Sequence, residues 1–117
     1  AIRLLFTSSS LLNVLFLWGN NTMVVAVARM VFRIHECHSL KEKRKVVKSM
    51  IARLQNAFNA SIAEIAANDM HQRAEIGVAM VGNDHQVLNS KIDKLLGMAE
   101  DMGLAEMIDS EIEIVHY

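Results

Sequence analysis

The sequence predicts an α+β fold in which elements follow the order strand, helix, strand, strand, helix, strand. Three stretches show the period of two that strands have, a fourth short stretch suits a strand with a bulge, and two segments repeat apolar residues every three to four positions, as helices do. Each helical segment also follows a capping residue. A length of 117 residues, with 52% hydrophobic and 21% charged residues, suits one globular domain.

The first strand is predicted at Val24–Ile34. One of its faces is wholly apolar and suits a core. The opposite face mixes valines with Arg29 and Arg33, which is typical of a sheet face that is partly accessible to solvent.

The first helix is predicted from about Leu40 to Phe58. Ser39 is a good N-cap, and Glu42 is expected to reach back to the Ser39 backbone amide as in a capping box. Lys43 lies near the apolar stripe of this helix and is expected to extend its ammonium group to solvent. The stripe repeats at helical spacing and consists of Val47, Met50, Ile51, Leu54 and Phe58.

Two further strands follow, joined by a connection short enough for a hairpin. The first is Ala60–Ala66, where Ile62 and Ile65 are out of phase and indicate a bulge. The second, Arg73–Val81, alternates cleanly between an apolar face and a mixed face.

The second helix is predicted to begin after an N-cap at Asn83 or Asp84 and to extend to about Met102. Gly103 then stands at the C′ position, where glycine is favoured. The last strand is predicted at Glu111–His116, where acidic residues alternate with isoleucine.

This order is that of the ferredoxin-like βαββαβ arrangement, a four-stranded antiparallel sheet with two helices on one face. The other face, called the open face below, is too apolar to remain in water, so a second subunit or the N-terminal segment is expected to cover it. Arg29 and Arg33 are expected to pair there with Glu111 and Glu113. We therefore predict a homo-oligomer. Its candidate interface residues are Val25, Val27, Arg29, Val31, Arg33, Ala79, Glu111 and Glu113.

Positive charge is concentrated in the first helix, although the net charge of the chain is −1. Six of the 12 Lys and Arg residues fall between Lys41 and Arg53. At about 100° per residue, four of them share one solvent-facing arc. Such a run on a helix is usually a solvated face. Because these bases lie on one side of the helix, we give equal weight to a site for an anionic partner. The candidate RNA-binding or anion-binding residues are Lys41, Arg44, Lys45 and Lys48.

Residues 1–22 differ in style from the rest of the chain. Their apolar run, Leu11–Trp18, is too short to span a bilayer, which takes about 20 apolar residues. A secretory signal is disfavoured because no small-x-small cleavage site follows the run. We predict an N-terminal extension at 1–22, either sequence outside the native protein or an interface segment, and a ferredoxin-like domain at 23–117. No membrane partner is expected.

Catalytic and metal chemistry find little support in the sequence. His35, Cys37 and His38 bring potential ligands together, but structural zinc sites separate their ligand pairs more widely, so a solvated loop is expected. Cys37 also lacks the orienting partner that a thiol nucleophile needs. We expect no catalytic residue, no metal and no cofactor. The single cysteine cannot form an internal disulfide, which makes the cytoplasm the default compartment.

Five segments form a distinctive set: Ser39–Arg44, Phe58–Asn59, Ser61–Ile65, Gln72–Asp84 and Glu111–Ile114. Together they resemble the YlxP-like family of small bacterial proteins of unknown function, from about residue 23 to the C-terminus. The resemblance implies a ferredoxin-like fold. It also implies a link to ribosomes or RNA, because genes of this family tend to lie beside those of translation initiation factor two and ribosome-binding factor A. Position 71 is His where the family commonly has Trp, and the loop 34–38 differs from the usual turn.

Three function classes remain open. The first is a non-enzymatic accessory protein that contacts ribosomal or other structured RNA through the basic first helix, since phosphate contacts need charge and no aromatic platform. The second is a homo-oligomeric ligand-binding or regulatory module that uses the open face. The third is an acylphosphatase-like enzyme, which needs a phosphate-binding loop that the sequence does not show. The fold alone does not decide among them.

Overall fold

The computed structural model describes residues 23–117, and the predictions for residues 1–22 lie outside that range. The elements follow the predicted order: β1 (Val24–Arg33), α1 (Leu40–Ala57), β2 (Ser61–Ala66), β3 (Arg73–Gly82), α2 (His85–Asp101) and β4 (Glu106–His116). The strands form one antiparallel sheet in the order β2-β3-β1-β4. The predicted ferredoxin-like α+β fold is confirmed.

The core lies between the sheet and the two helices. Alternate residues of β1 from Val24 to Phe32 are buried on the helix-covered face, as the period of two requires. Against them pack apolar helix residues that are fully buried: Met50, Leu54, Ile92 and Leu95. Both helices therefore cover the same face, and no other element within residues 23–117 covers the open face.

Side-chain caps determine where both helices begin. Ser39 Oγ accepts a hydrogen bond from Glu42 N at 3.1 Å, and Asp84 Oδ1 accepts one from Val87 N at 3.0 Å. Both caps were predicted. The Glu42 carboxylate, however, accepts from His38 N at 2.9 Å and not from the Ser39 amide. The carboxylate thus ties the loop before the cap to the first turn of α1.

A bulge in β2 is present where the sequence predicted one. Glu64 pairs with Ile76, and Ala66 pairs with Glu75, so Ile65 is an extra residue between them. The extra residue explains why the two isoleucines of this strand are out of phase.

The last strand begins at Glu106, five residues before the predicted start at Glu111. Its register with β1 shifts between Val31 and Phe32, which leaves Ile108 without an opposing residue. This second bulge interrupts the alternation of the strand, and for that reason the pattern of period two is visible only after it.

The loop between β1 and α1 is tied to the β2–β3 hairpin. Ile34 N donates to Gln72 O at 3.0 Å, and Gln72 Nε2 donates to Cys37 O at 3.3 Å. Cys37 itself is 3% exposed, and its Sγ donates to Ser39 O at 3.4 Å. The prediction of a solvated loop is therefore wrong for Cys37, because the hairpin end packs against it.

Candidate nucleic-acid interface

The four basic candidates of α1 lie together on its solvent-exposed side. All four are exposed, and none forms an ion pair with another residue of the described range. This set is called the basic face below: Lys41, Arg44, Lys45 and Lys48. Four uncompensated cations on one side of a helix make a local positive potential that attracts anions.

The basic face works against the stability of its own helix. Lys41 and Lys45, like Arg44 and Lys48, are four residues apart, and such like-charge pairs destabilise a helix by about 0.2–0.5 kcal/mol each. Lys41 and Arg44 also lie in the first turns of α1, where the helix dipole favours negative charge. Helix stability therefore does not account for this placement of charge.

A groove of about 470 Å³ lies beside the basic face, between α1 and β2. Its walls are the basic face, two apolar side chains and one acid from the strand. The residues that line this basic groove are Lys41, Arg44, Lys45, Val47, Lys48, Ile51 and Glu64. A single carboxylate among four cations distinguishes this groove from a uniformly basic surface.

Glu64 is paired with a lysine that the sequence analysis placed in solvent. Lys43 is 1% exposed, its Nζ lies 2.8 Å from Glu64 Oε2, and it donates to the carbonyl oxygen of Ala67. Glu64 Oε2 makes no hydrogen bond of good geometry with the described residues, so its contact with Lys43 is chiefly electrostatic. The prediction that Lys43 reaches solvent is wrong, because a carboxylate on the neighbouring strand neutralises its charge inside.

The position of Lys43 on the helix explains its burial. Residues 43, 47, 50 and 54 occupy one stripe at spacings of three and four, and all are buried. Lys43 is thus the first member of the core-facing stripe. Only the position of Glu64 on a distant segment distinguishes this arrangement from an ammonium group that reaches solvent, and helical periodicity does not reveal that position.

The open face contains a charged network across three strands. Arg29 on β1 lies 2.7 Å from Glu75 on β3 and 3.7 Å from Glu111 on β4. Arg73 lies 3.7 Å from Glu75. The predicted Arg29–Glu111 pair is present, but the closer partner, Glu75, was not predicted. Sequence alternation assigns Glu75 to this face and does not give its register against β1.

This network shifts the ionisation of its members. The hydrogen bond and positive charge of Arg29 lower the pKa of Glu75 below its ordinary value, despite the opposing effect of burial. The same hydrogen bond raises the pKa of Arg29 above its ordinary value. Both shifts favour the charged forms, so Arg29 and Glu75 form an ion pair at neutral pH.

The predicted pair between Arg33 and Glu113 is wrong. Arg33 lies opposite Glu106 and Glu113 lies opposite Val27, at different ends of the β1–β4 ladder. Because the strands are antiparallel, a residue late in β1 can meet only a residue early in β4.

The remaining interface candidates differ in accessibility. Val25, Val27 and Ala79 are half-buried, and the charged candidates are exposed. Val31 is only 5% exposed and offers little surface to a partner. A shallow depression of about 500 Å³ lies over β1 and β4 and is lined by Val27, Ala28, Arg29, Glu111, Ile112 and Glu113.

Two further apolar residues of the open face are strongly exposed. Val81 is 67% exposed and Ile65 is 53% exposed. Ile65 packs over Gly77, where an added Cβ would lie 2.9 Å from Ile65 Cγ2. Because exposed large apolar side chains commonly mark contact surfaces, the open face is a second candidate site.

Two histidine contacts occur away from the basic face. His35 Nε2 lies 2.9 Å from Glu106 Oε2, and this contact lowers the pKa of Glu106 below its ordinary value. The ring of His85 stacks on that of His116, with 2.8 Å between Nδ1 and Nε2. Among residues 23–117, no group of three or more His, Cys, Asp or Glu side chains is placed to hold a metal ion.

No helix in the described range is long and apolar enough to cross a membrane.

Comparison with known protein families shows which family the chain belongs to. Residues 25–112 match the family described as "Protein of unknown function (DUF503)". This chain belongs to that family. A DUF503 relative from Bacillus subtilis (strain 168), named "Uncharacterized protein YlxP", is 37% identical over 67 residues, which are 57% of this chain and 73% of the relative. The resemblance to the YlxP-like family is confirmed.

Solved structures that are similar to this DUF503 chain have low sequence identity to it. A de novo designed protein, Foldit4, is 14% identical with a TM-score of 0.45, over 81% of this chain and 96% of the other. A dimeric ferredoxin-like protein from an uncultured marine organism is also 14% identical, with a TM-score of 0.44 over 84% and 90% of the two chains. Both likenesses concern overall shape, and function is argued from the residues of this chain.

Proposed function

We propose that this protein is a non-enzymatic accessory protein of the cytoplasm that binds RNA, ribosomal RNA in particular, through the basic face. The observation that supports this proposal is the row of four exposed cations without acidic partners in the described range. Phosphate oxygens are the ligands that such a row fits, because Lys and Arg contact them by charge and by hydrogen bonds.

The mode of binding differs from that of sheet platforms. RNA-recognition motifs stack bases on aromatic residues of the sheet. The described strands contain no Tyr or Trp and one Phe, Phe32, which is fully buried on the helix side, and the ring of His116 at the end of β4 stacks on His85. RNA therefore contacts the helix layer, where the backbone phosphates meet the basic face.

Salt dependence of binding to ribosomes or structured RNA tests this proposal. Affinity should fall with salt with a slope of roughly 0.7–0.9 per phosphate contact, or about 3 to 4 for four contacts. The double variant Lys45→Glu/Lys48→Glu should weaken binding to all sequences alike and reduce the slope.

A matched control is available on α2. Lys91 and Lys94 are also exposed and three residues apart, so Lys91→Glu/Lys94→Glu makes the same change of charge elsewhere. This control should retain most of the affinity. Absence of salt-dependent binding by the wild-type protein, or equal loss in both double variants, would contradict a site on the basic face.

A second candidate function is that of a homo-oligomeric regulatory module assembled through the open face. Exposed Val81 and Ile65 favour it, since water contact of large apolar side chains is costly. The cross-strand charges of this face, with bases on β1 and acids on β4, also suit contact with a second copy. Sedimentation of the whole chain tests this candidate, and the two functions are compatible because they use opposite layers of the domain.

A further inference from the structure

The basic groove is lined by four cations and one carboxylate, which favour different parts of a ligand. Its cationic walls attract phosphate, whereas Glu64, whose charge Lys43 balances, offers a hydrogen-bond acceptor and no attraction for phosphate. An RNA strand therefore fits best when its phosphates contact the basic face and an uncharged, hydrogen-bond-donating part meets Glu64. In an RNA nucleotide the base and the ribose 2′-OH both carry such donors, and the base is the part whose donors differ from one nucleotide to another.

The structure also holds the Glu64 carboxylate in place. Oε2 is buried against Lys43 Nζ, whereas the side chain as a whole is 20% exposed and lines the groove. Among the described residues, Oε1 has no hydrogen-bond or ion-pair partner and, unlike Oε2, is not fully buried. Lys43 acts here as a positioning residue, because its charge fixes one carboxylate oxygen and leaves the other for a ligand.

We infer that the basic groove binds a guanine base of single-stranded RNA, which donates hydrogen bonds from its Watson–Crick edge to Glu64. This inference rests on the RNA binding proposed above and adds a base preference to it. Single-stranded RNA is read in this way elsewhere, by hydrogen bonds to the edges of unstacked bases.

Guanine is favoured over the other bases by its donors. It presents the N1–H and the 2-amino group side by side, and both can donate to the same oxygen, Oε1, because Oε2 is buried against Lys43. Adenine and cytosine offer one amino group beside an unprotonated ring nitrogen, whose lone pair the carboxylate repels, and uracil offers only N3–H between two carbonyls. The guanine O6 is an acceptor and can receive a hydrogen bond from a Lys or Arg of the basic face.

The remaining walls suit a base in size and character. A volume of about 470 Å³ falls within the usual range of roughly 300–1,000 Å³ for ligand sites. Val47 and Ile51 supply apolar contact for a ring, and the guanidinium of Arg44 is of the type that stacks on bases. The apolar, cationic and acidic residues of the groove can therefore contact the ring, the phosphate and the hydrogen-bond donors of a guanosine nucleotide, respectively.

The test uses the whole chain and short uridine oligomers with one central guanosine, inosine, adenosine or cytidine. Affinities are measured by fluorescence anisotropy at low ionic strength. The guanosine oligomer should bind about tenfold more tightly than the adenosine and cytidine oligomers, since a two-point base contact discriminates by factors of this order. Inosine, which lacks the 2-amino group, should fall between them.

A variant then assigns the preference to Glu64. Because Glu64→Gln alone leaves Lys43 buried without a counter-charge, the second variant is Lys43→Met/Glu64→Gln, with its fold checked by thermal melting. The guanosine preference should disappear while the salt slope is kept. If either variant fails to fold, the comparison of the four oligomers on wild-type protein still decides.

The outcomes separate this inference from the proposed function. Equal affinity for the four oligomers, with a salt slope of about 3 to 4, overturns guanine recognition and leaves RNA binding by the basic face standing. No binding to any oligomer, to ribosomes or to structured RNA overturns both. Equal tightening of all four oligomers by Glu64→Gln shows that the carboxylate acts only by repulsion, and this also overturns the inference.

Discussion

Lys43 Nζ lies 2.8 Å from Glu64 Oε2, in a contact where the lysine is 1% and the glutamate 20% exposed. This pair connects the first turn of α1 to the edge strand β2. It also connects the core to the basic groove, because Glu64 takes part in both. The buried charge of Lys43 thus holds a carboxylate that lines the basic groove.

Lys43→Met should lower the free energy of unfolding by about 3 kcal/mol, because removing one partner of a buried pair leaves the other uncompensated. The double variant Lys43→Met/Glu64→Gln should lose less, since no charge then stays buried. Chemical denaturation of both variants provides the measurement. Lys48→Met, an exposed control on the same helix, should change stability by less than about 0.5 kcal/mol. With Glu64→Gln measured as well, a loss in the double variant equal to the sum of the losses in Lys43→Met and Glu64→Gln would show that the residues act independently.

Stability should fall in acid as Glu75 and Glu106 become protonated. Both have a pKa below the ordinary value of 4.5, because Arg29 and His35 respectively hydrogen-bond them. A carboxyl group with a lowered folded-state pKa contributes stability above its unfolded-state pKa and loses it as pH falls through the folded-state pKa. Stability from this source should therefore be complete above about pH 5 and decline below about 4.5.

Urea titrations at a series of pH values check this expectation in wild type and Glu75→Gln. The variant should be less stable at neutral pH and should show a weaker decline in acid. Glu113→Gln removes a carboxylate from the same face, and its side chain forms no ion pair within the described residues, which makes it a suitable control. An acid decline in Glu75→Gln as steep as that of wild type would assign the effect to other groups.

Val81→Asp should convert an oligomer of this chain into a monomer without unfolding it. Val81 is 67% exposed, so the charge stays in water in the monomer but would be desolvated in an interface across the open face. Sedimentation velocity at micromolar concentration measures the change. Val87→Asp, at a valine that is 51% exposed on α2, is the control and should leave assembly intact. A wild-type monomer would remove the reason for a second subunit on this face, and an unchanged oligomer of Val81→Asp would move the interface elsewhere.

Two glycines near the end of α2 should respond to alanine in opposite directions. Gly103 has φ +71°, a conformation that costs a side-chain-bearing residue about 1 kcal/mol, so Gly103→Ala should destabilise by about that amount. Gly97 lies inside the helix, and a Cβ there would meet nothing within 4 Å. Gly97→Ala should therefore stabilise by about 0.5–1 kcal/mol through helix propensity. Thermal or urea melts distinguish the two, and shifts of the same sign would contradict this account of the helix end.

Much of the fold was predictable because its signals are local. Period-two alternation identifies β1 and β3, and Ser39 and Asp84 identify the starts of the helices. The residue Ile108 shows the limit, since one extra residue conceals the first half of β4. Local periodicity assigns a residue to a face and leaves strand register open, and for this reason Glu75 was not recognised as the main partner of Arg29.

The candidate site also has a part that the sequence predicts and a part that it does not. Helical spacing alone places Lys41, Arg44, Lys45 and Lys48 on one side of α1. The acid of the groove was not predictable, because Glu64 comes from a segment 21 residues after Lys43 and meets it only when α1 packs against β2. A pattern within one element does not report such a contact between two elements.

The bulge at Ile108 also determines where β4 can change in length. Deleting this unpaired residue would join two stretches that already pair with β1 and would leave the facing of every other side chain intact. Deleting a residue anywhere in 109–116 would invert the side chains between the deletion and the bulge, turning acids toward the helices. The final strand therefore has one position that should tolerate an insertion or deletion, followed by a stretch in which the residue count must stay constant.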